Sequence, residues 1–222
     1  MLFQKLFKNP FVAILLIFCV LALVLNFRSP EVVKQETIVK LQDFKEGDII
    51  FQVNQSGQGK AIQLATHSKY THCGILFKEN NKWLVYEAVQ PVKKTSFEEW
   101  ITHGENDFYE VKRLRNSAQV IDASTIINMK KKYNTFAGKP YDLFFGWSDE
   151  KIYCSELVWK IYKNATGLEV GNLQKLKDFD LTHPIVKAKL EERYGEKIPY
   201  DEMVISPAAI FDSELLETVS VE

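Results

Sequence analysis

The sequence predicts an α+β fold in which an antiparallel sheet packs against helices, and three observations lead to this prediction. Short segments rich in β-branched and aromatic residues come first in the folded part, and the polar turn at residues 78–82 joins two of them. Two longer segments with helical spacing of apolar residues follow, at 122–136 and 153–165. The chain has 222 residues and is 46% apolar, which is enough for one globular domain with a buried core.

The charge balance argues against nucleic acid as a partner. The chain has 28 Lys and Arg residues against 29 Asp and Glu residues, for a net charge of -1. It therefore offers no broad positive field that would attract a polyanion. The sequence gives no indication of an oligomeric state.

The N-terminal residues have the pattern of a membrane-targeting segment. An apolar run at 11–27 follows two lysines and ends at Arg28. As a helix these 17 residues would extend roughly 25 Å, close to the lower limit for crossing a bilayer. No small-x-small cleavage pattern lies near the end of the run, so we expect residues 1–28 to form a transmembrane anchor. A cleaved signal peptide, which would leave the protein secreted, has a similar outline.

Positive charges predict the orientation of this anchor. Lys5, Lys8 and the amino terminus lie on one side of the run and Arg28 alone on the other, which keeps the N-terminus in the cytoplasm. Polar residues 29–40 then serve as a linker, and residues 41–222 form the domain. We expect this domain to be extracytoplasmic, in the periplasm or on the cell surface.

The elements of the domain follow from local patterns. Strands are predicted where β-branched and aromatic residues cluster, at 48–53, 71–77, 83–89, 108–114 and 203–205. Helices are predicted from helical spacing and capping residues at 60–67, 96–103, 122–136, 153–165 and 184–194, with another beginning at 206–207. Cys154 therefore lies at the start of a helix.

Cys154, His72 and Glu87 are the candidate chemical residues. The N–H groups and the positive dipole end of a helix stabilise a thiolate and can bind an oxyanion, although a buried structural cysteine would fit the same position. Of the four histidines only His72 lies inside a predicted strand. Glu87 lies on the next strand of the hairpin, where its carboxylate can accept a hydrogen bond from an imidazole and fix its tautomer. A core histidine and an exposed glutamate are the alternatives.

Cys73 is predicted to be structural. Neighbouring side chains of a strand point to opposite faces, so if His72 faces the helix of Cys154, Cys73 points into the other layer, which argues against a Cys73–Cys154 disulfide. A zinc site formed by His67, His72, Cys73 and Cys154 lacks the spacing of common zinc motifs. We expect no metal and no cofactor, and we expect His67 to end the preceding helix.

Four motifs together resemble the NlpC-like papain superfamily. They are Gly47-Asp48-Ile-Ile-Phe, Thr71-His-Cys-Gly-Ile75, Tyr86-Glu-Ala88 and Tyr153-Cys-Ser-Glu-Leu-Val-Trp159. In the usual order of that superfamily the cysteine helix comes first, whereas here it comes last. This permuted order resembles the YiiX-like branch, over roughly residue 41 to the end.

The resemblance implies a circularly permuted papain-like domain and assigns roles to its residues. Cys154 would be the nucleophile, His72 the general base and Glu87 the residue that orients it. The backbone N–H of Cys154 would donate to the oxyanion, and Tyr141 would assist it or line the pocket. Asp48 would contact substrate, although turn and strand geometry explains its Gly-Asp motif equally well.

The implied chemistry is acyl transfer by a cysteine nucleophile through a thioester. We expect a thiol hydrolase, a papain-like peptidase or amidase, that cleaves an amide bond in a small peptide-like substrate, which could derive from the cell wall. The permuted members of the superfamily include enzymes that act on lipid esters and amides, so a lipid acyl hydrolase or acyltransferase is the alternative. A membrane-anchored binding module without catalysis is a second alternative.

Overall fold

The computed structural model describes residues 43–221, and a six-stranded antiparallel sheet forms the centre of this region. Its strands are β1 (Ile49–Gln52), β2 (His72–Glu79), β3 (Lys82–Glu87), β4 (Lys93–Ser96), β5 (Tyr109–Leu114) and β8 (Leu216–Val221). They lie in the order β4-β3-β2-β1-β5-β8, and every neighbouring pair is antiparallel. A second, two-stranded sheet pairs β6 (Gln174–Lys175) with β7 (Met203–Val204). The predicted combination of an antiparallel sheet with helices is confirmed.

The helices of this region connect and cover the strands. They are α1 (Gly57–Thr66), α2 (Phe97–Ile101), α3 (Ser117–Val120), α4 (Ala123–Asn134), α5 (Cys154–Thr166), α6 (Pro184–Tyr194) and α7 (Pro207–Phe211). Side-chain caps account for several of their starts: Asp122 accepts the Thr125 N–H at 2.7 Å, and Ser206 accepts the Ala209 N–H at 3.0 Å. Helix α5 ends at Gly167, whose φ of 76° is readily available only to glycine.

The hairpin of β2 and β3 places His72 and Glu87 on neighbouring strands. Its turn consists of Asn80 and Asn81, both with positive φ, a conformation that asparagine tolerates and that matches the twist of a two-residue hairpin. The register pairs Ile75 with Tyr86, so Glu87 lies beside β2 on the same face of the sheet as His72. The hairpin predicted from the sequence is confirmed.

The two faces of the sheet are covered differently. On one face Phe51, Cys73 and Ile75 pack in a single core with helices α4 and α5, and Leu157 of α5 is fully buried there. Each such apolar side chain stabilises the fold by about 1.5–3 kcal/mol on burial. The other face carries His72 and Glu87 and is covered by α2, whose Trp100 is fully buried.

Four short elements were not predicted from the sequence: β4, β6, β8 and α3. Strand β4 has the sequence Lys-Lys-Thr-Ser, and β8 has only one residue that is buried. Such polar segments become strands because an existing strand offers unpaired hydrogen-bonding groups at its edge. Helix α1 also begins before its predicted start, because Ser56 caps it by accepting the Gly59 N–H at 3.0 Å.

The predicted anchor at 1–28 and the linker at 29–40 lie outside the described residues. Within residues 43–221, no helix has the length and apolar character needed to cross a membrane.

Candidate active site

Cys154 is the first residue of α5, and several hydrogen bonds fix this end of the helix. The Glu156 carboxylate accepts the Tyr153 N–H at 3.4 Å. The Ser155 hydroxyl donates to the Ile205 carbonyl at 2.8 Å, and the Ile205 N–H donates to the Tyr153 hydroxyl at 3.1 Å. The N–H of Cys154 is one of the first-turn groups that find no acceptor within the helix. The prediction that Cys154 opens a helix is confirmed, and its side chain is only 3% exposed.

His72 is held by a carboxylate that is itself held by two further side chains. Its Nε2 lies 2.6 Å from Oε2 of Glu87. The other oxygen of Glu87 accepts from the Thr95 hydroxyl, and the Trp100 indole donates to Oε2 at 2.8 Å. The Trp100 ring also stacks on the imidazole, with centroids 6.0 Å apart. Because Glu87 occupies Nε2, Nδ1 is the nitrogen left for the hydrogen bond between His72 and Cys154.

Close packing against β3 explains why the His-Cys-Gly motif has glycine at position 74. Gly74 lies on the same face as His72 and Glu87, and a Cβ at this position would come 2.4 Å from Cγ1 of Val85 and 3.0 Å from the Tyr86 carbonyl oxygen. Any side chain here would therefore push β3 away and displace Glu87 from the imidazole.

The charges of the site favour a thiolate beside an imidazolium. A hydrogen bond from the Cys73 thiol, together with the nearby His72, holds the pKa of Cys154 well below its ordinary value despite burial. Burial acts to lower the pKa of His72, but the negative charges of Cys154 and Glu87 raise it to about 10. Burial likewise favours neutral Glu87, and its bonds to His72, Thr95 and Trp100 lower its pKa instead. All three shifts favour the charged forms of these groups.

The prediction that Cys73 points away from Cys154 is wrong. The Cys73 thiol donates a hydrogen bond to the sulfur of Cys154, and burial together with this negative neighbour raises the pKa of Cys73. Strand alternation holds, but it is Cys73 that lies on the face covered by α5. His72 reaches Cys154 from the other face because it is the first residue of β2, at the end of the strand. Both cysteines are free thiols.

A chain of hydrogen bonds reaches the sulfur from the side opposite His72. The Tyr141 hydroxyl contacts Cys154, and burial and that negative charge raise the pKa of Tyr141 well above its ordinary value. Nε2 of Gln58 donates to the same hydroxyl at 3.1 Å, so the hydroxyl proton is left to point at the sulfur. Nη2 of Arg193 donates to Oε1 of Gln58 at 3.0 Å, which fixes the orientation of the amide. Tyr141 is therefore at the reactive centre, as predicted.

Two depressions flank the reactive pair. The first, which we call the apolar cavity, has a volume of about 90 Å³ and includes Cys154 in its wall. Most of its lining is apolar and comes from α1, α6 and the segment around β7; it includes Ile62, Ala65, Phe179, Val186, Leu190 and Val204. The second, the histidine groove, includes His72 and has more polar side chains, among them Asn54, Ser56, Thr71 and Gln90. Gln58, Ile62 and Tyr141 line both.

Comparisons with known proteins agree with this geometry. A family model described as permuted papain-like amidase enzyme, YaeF/YiiX, C92 family, matches residues 43–220. The chain belongs to this family. It is 52% identical over 176 residues to the uncharacterized protein YiiX of Escherichia coli strain K12, covering 79% of this chain and 86% of that protein. A crystal structure of YiiX from Escherichia coli O157:H7 is 50% identical, covers 80% of this chain and 97% of its own, and superposes with a TM-score of 0.77.

Membership in the permuted papain-like amidase family makes the chain a papain-like cysteine peptidase/amidase. The resemblance inferred from the four motifs, including the YiiX-like order, is thereby confirmed. The roles of Cys154, His72, Glu87 and Tyr141 stay predictions.

The solved YiiX structure is described as that of a metalloprotein, which raises the question whether the residues of this chain fit a metal. Within residues 43–221, no three His, Cys, Asp or Glu side chains are grouped so that they could hold a metal ion. Around Cys154 the available donors are already engaged: His72 binds Glu87, and Cys73 donates to Cys154. The described residues therefore do not fit a metal.

Asp48 and His67 lie away from the reactive pair. Asp48 is buried in a two-pronged ion pair with Arg113, with both N–O distances at 2.7 Å, and it lines neither the apolar cavity nor the histidine groove. The geometry thus does not bring the predicted substrate contact to the site, because Asp48 stabilises the start of β1 instead. His67 ends α1 with φ of 52°, as predicted, and its Nε2 is 3.1 Å from Asp180.

Four residues of the site were not identified from the sequence: Thr95, Trp100, Gln58 and Arg193. Thr95 lies in a strand whose composition did not predict one, and Trp100 lies in a helix that was predicted without a role. Gln58 and Arg193 are 135 positions apart in the chain and meet only because α6 packs beside α1. For these four residues the sequence offered one indication, the capping pattern that predicts the short helix carrying Trp100.

Proposed function

We propose that the protein hydrolyses an amide bond of a small peptide-like substrate through a thioester on Cys154. The observation that carries this proposal is the Cys154–His72 pair, in which a thiolate and an imidazolium share a hydrogen bond and Glu87 holds the imidazole. A thiolate is the nucleophilic form of cysteine, and it exists here without the prior removal of a proton.

The first half of the reaction forms the thioester. The Cys154 sulfur attacks the carbonyl carbon of the amide, and the oxygen becomes negatively charged. The N–H of Cys154 and the hydroxyl of Tyr141, which contacts Cys154, would donate to that oxygen. His72 then gives its proton to the amine nitrogen as the carbon–nitrogen bond breaks, and the amine leaves.

The second half regenerates the enzyme. His72, now neutral, accepts a proton from a water molecule as the water oxygen attacks the thioester carbon. The carbon–sulfur bond breaks, the acid product leaves, and the thiolate and imidazolium are restored. Glu87 stays ionised throughout and stabilises the imidazolium in both halves.

A lipid acyl substrate is the second candidate, and the apolar cavity favours it. Its lining is mostly apolar and includes Cys154, which suits an acyl chain attached to the carbonyl that Cys154 attacks. With an ester in place of the amide, or an alcohol in place of water, the same residues would carry out lipid hydrolysis or acyl transfer.

The proposed location of the reaction is outside the cytoplasm. The N-terminal pattern at 1–28 and the charges of Lys5, Lys8 and Arg28 support it. Cell fractionation with added protease tests it: an extracytoplasmic domain is degraded in intact spheroplasts, and protection from the protease would contradict the proposal.

Mass spectrometry of the trapped intermediate tests the function. The full chain is mixed with fluorogenic amides that carry either short peptides or acyl chains of increasing length, quenched in acid and digested. We expect release of the fluorophore and an acyl group on the peptide that contains Cys154, with Cys154→Ala as the inactive control. Preference for peptide amides supports the first candidate and preference for long acyl chains the second. Undiminished release by Cys154→Ala would refute both.

A further inference from the structure

Arg193 introduces a positive charge into the apolar cavity. It lies on α6 and lines the same cavity as Cys154, among side chains that are mostly apolar. The burial of its guanidinium opposes the charged form and lowers its pKa. A guanidinium in such surroundings gains stability when an anion is placed beside it.

No anion of the described part of the chain provides this partner. Within residues 43–221, no carboxylate lies within ion-pair distance of the Arg193 guanidinium. Glu192, which directly precedes Arg193 in the sequence, is exposed to solvent and pairs with Lys189 at 2.5 Å. Asp142 acts on Arg193 only at longer range, and its carboxylate accepts the Phe144 N–H at 2.8 Å.

The guanidinium is nevertheless held in one orientation. Nη2 donates to Gln58 at 3.0 Å, and the planar group lies 5.0 Å from the centre of the Phe145 ring. This single hydrogen bond uses one of its five N–H donors. The others remain for a ligand in the cavity, and an arginine fixed in this way loses little entropy on binding.

We propose that Arg193 is a specificity residue that recognises an anionic group, a carboxylate or a phosphate, on the substrate. The proposal rests on the function proposed above and names its substrate class: an amide whose apolar part fills the cavity and whose anionic group binds the guanidinium. Gln58 and Tyr141 separate Arg193 from the Cys154 sulfur, so the anion lies on the same molecule at a short distance from the scissile carbonyl.

Binding to the full-length Cys154→Ala variant tests this proposal without requiring turnover. Three probes share one medium-chain amide and differ in a single substituent, which is neutral, a carboxylate or a phosphate. Isothermal titration calorimetry gives Kd for each. We expect one or both anionic probes to bind about tenfold to a hundredfold more tightly than the neutral probe. The tighter of the two identifies the source of the anion, a carboxylated or a phosphorylated amphiphile.

Substitutions on one helix identify the responsible charge. Adding Arg193→Met should abolish the preference for anions while the neutral probe binds as before, whereas Arg193→Lys should retain part of it and guards against a folding defect in the first variant. The matched control is Lys189→Met, because Lys189 lines the same cavity but is already paired with Glu192.

The outcomes separate this inference from the proposed function. Equal Kd values for the neutral and anionic probes, or equal weakening of all three in Arg193→Met, would overturn the anion site and assign Arg193 to bracing Gln58. If the wild-type protein cleaves no amide and still prefers anionic probes through Arg193, the recognition stands and the proposed hydrolysis fails.

Discussion

The two sides of the reactive centre are built on opposite principles. On the histidine side His72, Glu87, Thr95 and Trp100 are joined by hydrogen bonds within the protein. On the cavity side the walls are apolar, and Arg193 keeps donors that no group of the described chain uses. The first arrangement fixes protonation and geometry before substrate arrives, whereas the second leaves interactions for the substrate to complete. Substitutions on the two sides should therefore have different signatures.

The largest effect is expected at Cys154, whose sulfur lies between the histidine side and the cavity side. Cys154→Ala should lower kcat for amide hydrolysis by about 10⁴-fold or more, because it removes the sulfur that attacks the carbonyl. Steady-state rates on the preferred fluorogenic amide measure it, and Cys73→Ser is the matched control, since it alters the neighbouring thiol and keeps a donor. Comparable loss in both variants would point to disturbed packing.

Breaking the histidine side should change the pH dependence as well as the rate. Glu87→Gln should reduce kcat by about 10²- to 10⁴-fold. In the wild type, activity should fall as pH rises through the His72 pKa of about 10, because the imidazolium that protonates the leaving amine is lost. Without the Glu87 charge the pKa of His72 drops, so the loss of activity with rising pH should begin at lower pH.

A pH–rate profile for wild type and Glu87→Gln gives the answer directly. Glu79→Gln is the control, because Glu79 is on the same hairpin and contacts Lys94 rather than the site. If activity in Glu87→Gln falls at the same pH as in the wild type, Glu87 does not act on His72.

The hydrogen-bond chain on the cavity side should have an intermediate effect. Tyr141→Phe removes the hydroxyl that we expect to stabilise the oxyanion, and kcat should fall by about 10- to 100-fold with little change in KM. Gln58→Leu should produce a smaller loss of the same kind, because Tyr141 then keeps its hydroxyl but loses its orientation. A rise in KM alone in either variant would assign these residues to binding only.

Filling the apolar cavity should change substrate selection on the cavity side without changing the reactivity of Cys154. Ala65→Leu should lower kcat/KM about tenfold for substrates with a large apolar group and should leave the pH dependence of Cys154 alkylation unchanged. Ala137→Leu, at an exposed position outside the cavity, is the control. Altered alkylation in Ala65→Leu would show that the two sides are coupled.

The smallest effect is expected at Cys73. Cys73→Ala removes the hydrogen bond that favours the thiolate, so the pKa of Cys154 should rise and the midpoint of alkylation should move to higher pH. Cys73→Ser retains a donor and should shift the midpoint less. Alkylation followed by peptide mass over a range of pH measures both, and identical midpoints in wild type, Ala and Ser would remove Cys73 from the activation of Cys154.

Most of the regular elements could be predicted from local patterns. The two long helices, the hairpin and helix α6 each carry their own signal: apolar spacing, an Asn-Asn turn, or proline at the first helical position. The strands that were missed, β4 and β8, have one buried residue each and form because β3 and β5 present open edges. Their stability comes from a partner strand, which no local window contains.

The sequence by itself placed Cys154 at a helix start, His72 on a strand and Glu87 on the next strand, and the motif resemblance predicted their roles. Only the tertiary structure decided which neighbours they have. The position of α5 on one face of the sheet brought Cys73 to the sulfur, and the packing of α6 beside α1 brought Arg193 to Gln58. Side-chain direction along one strand follows from the chain alone, whereas contact between distant elements depends on how whole layers pack.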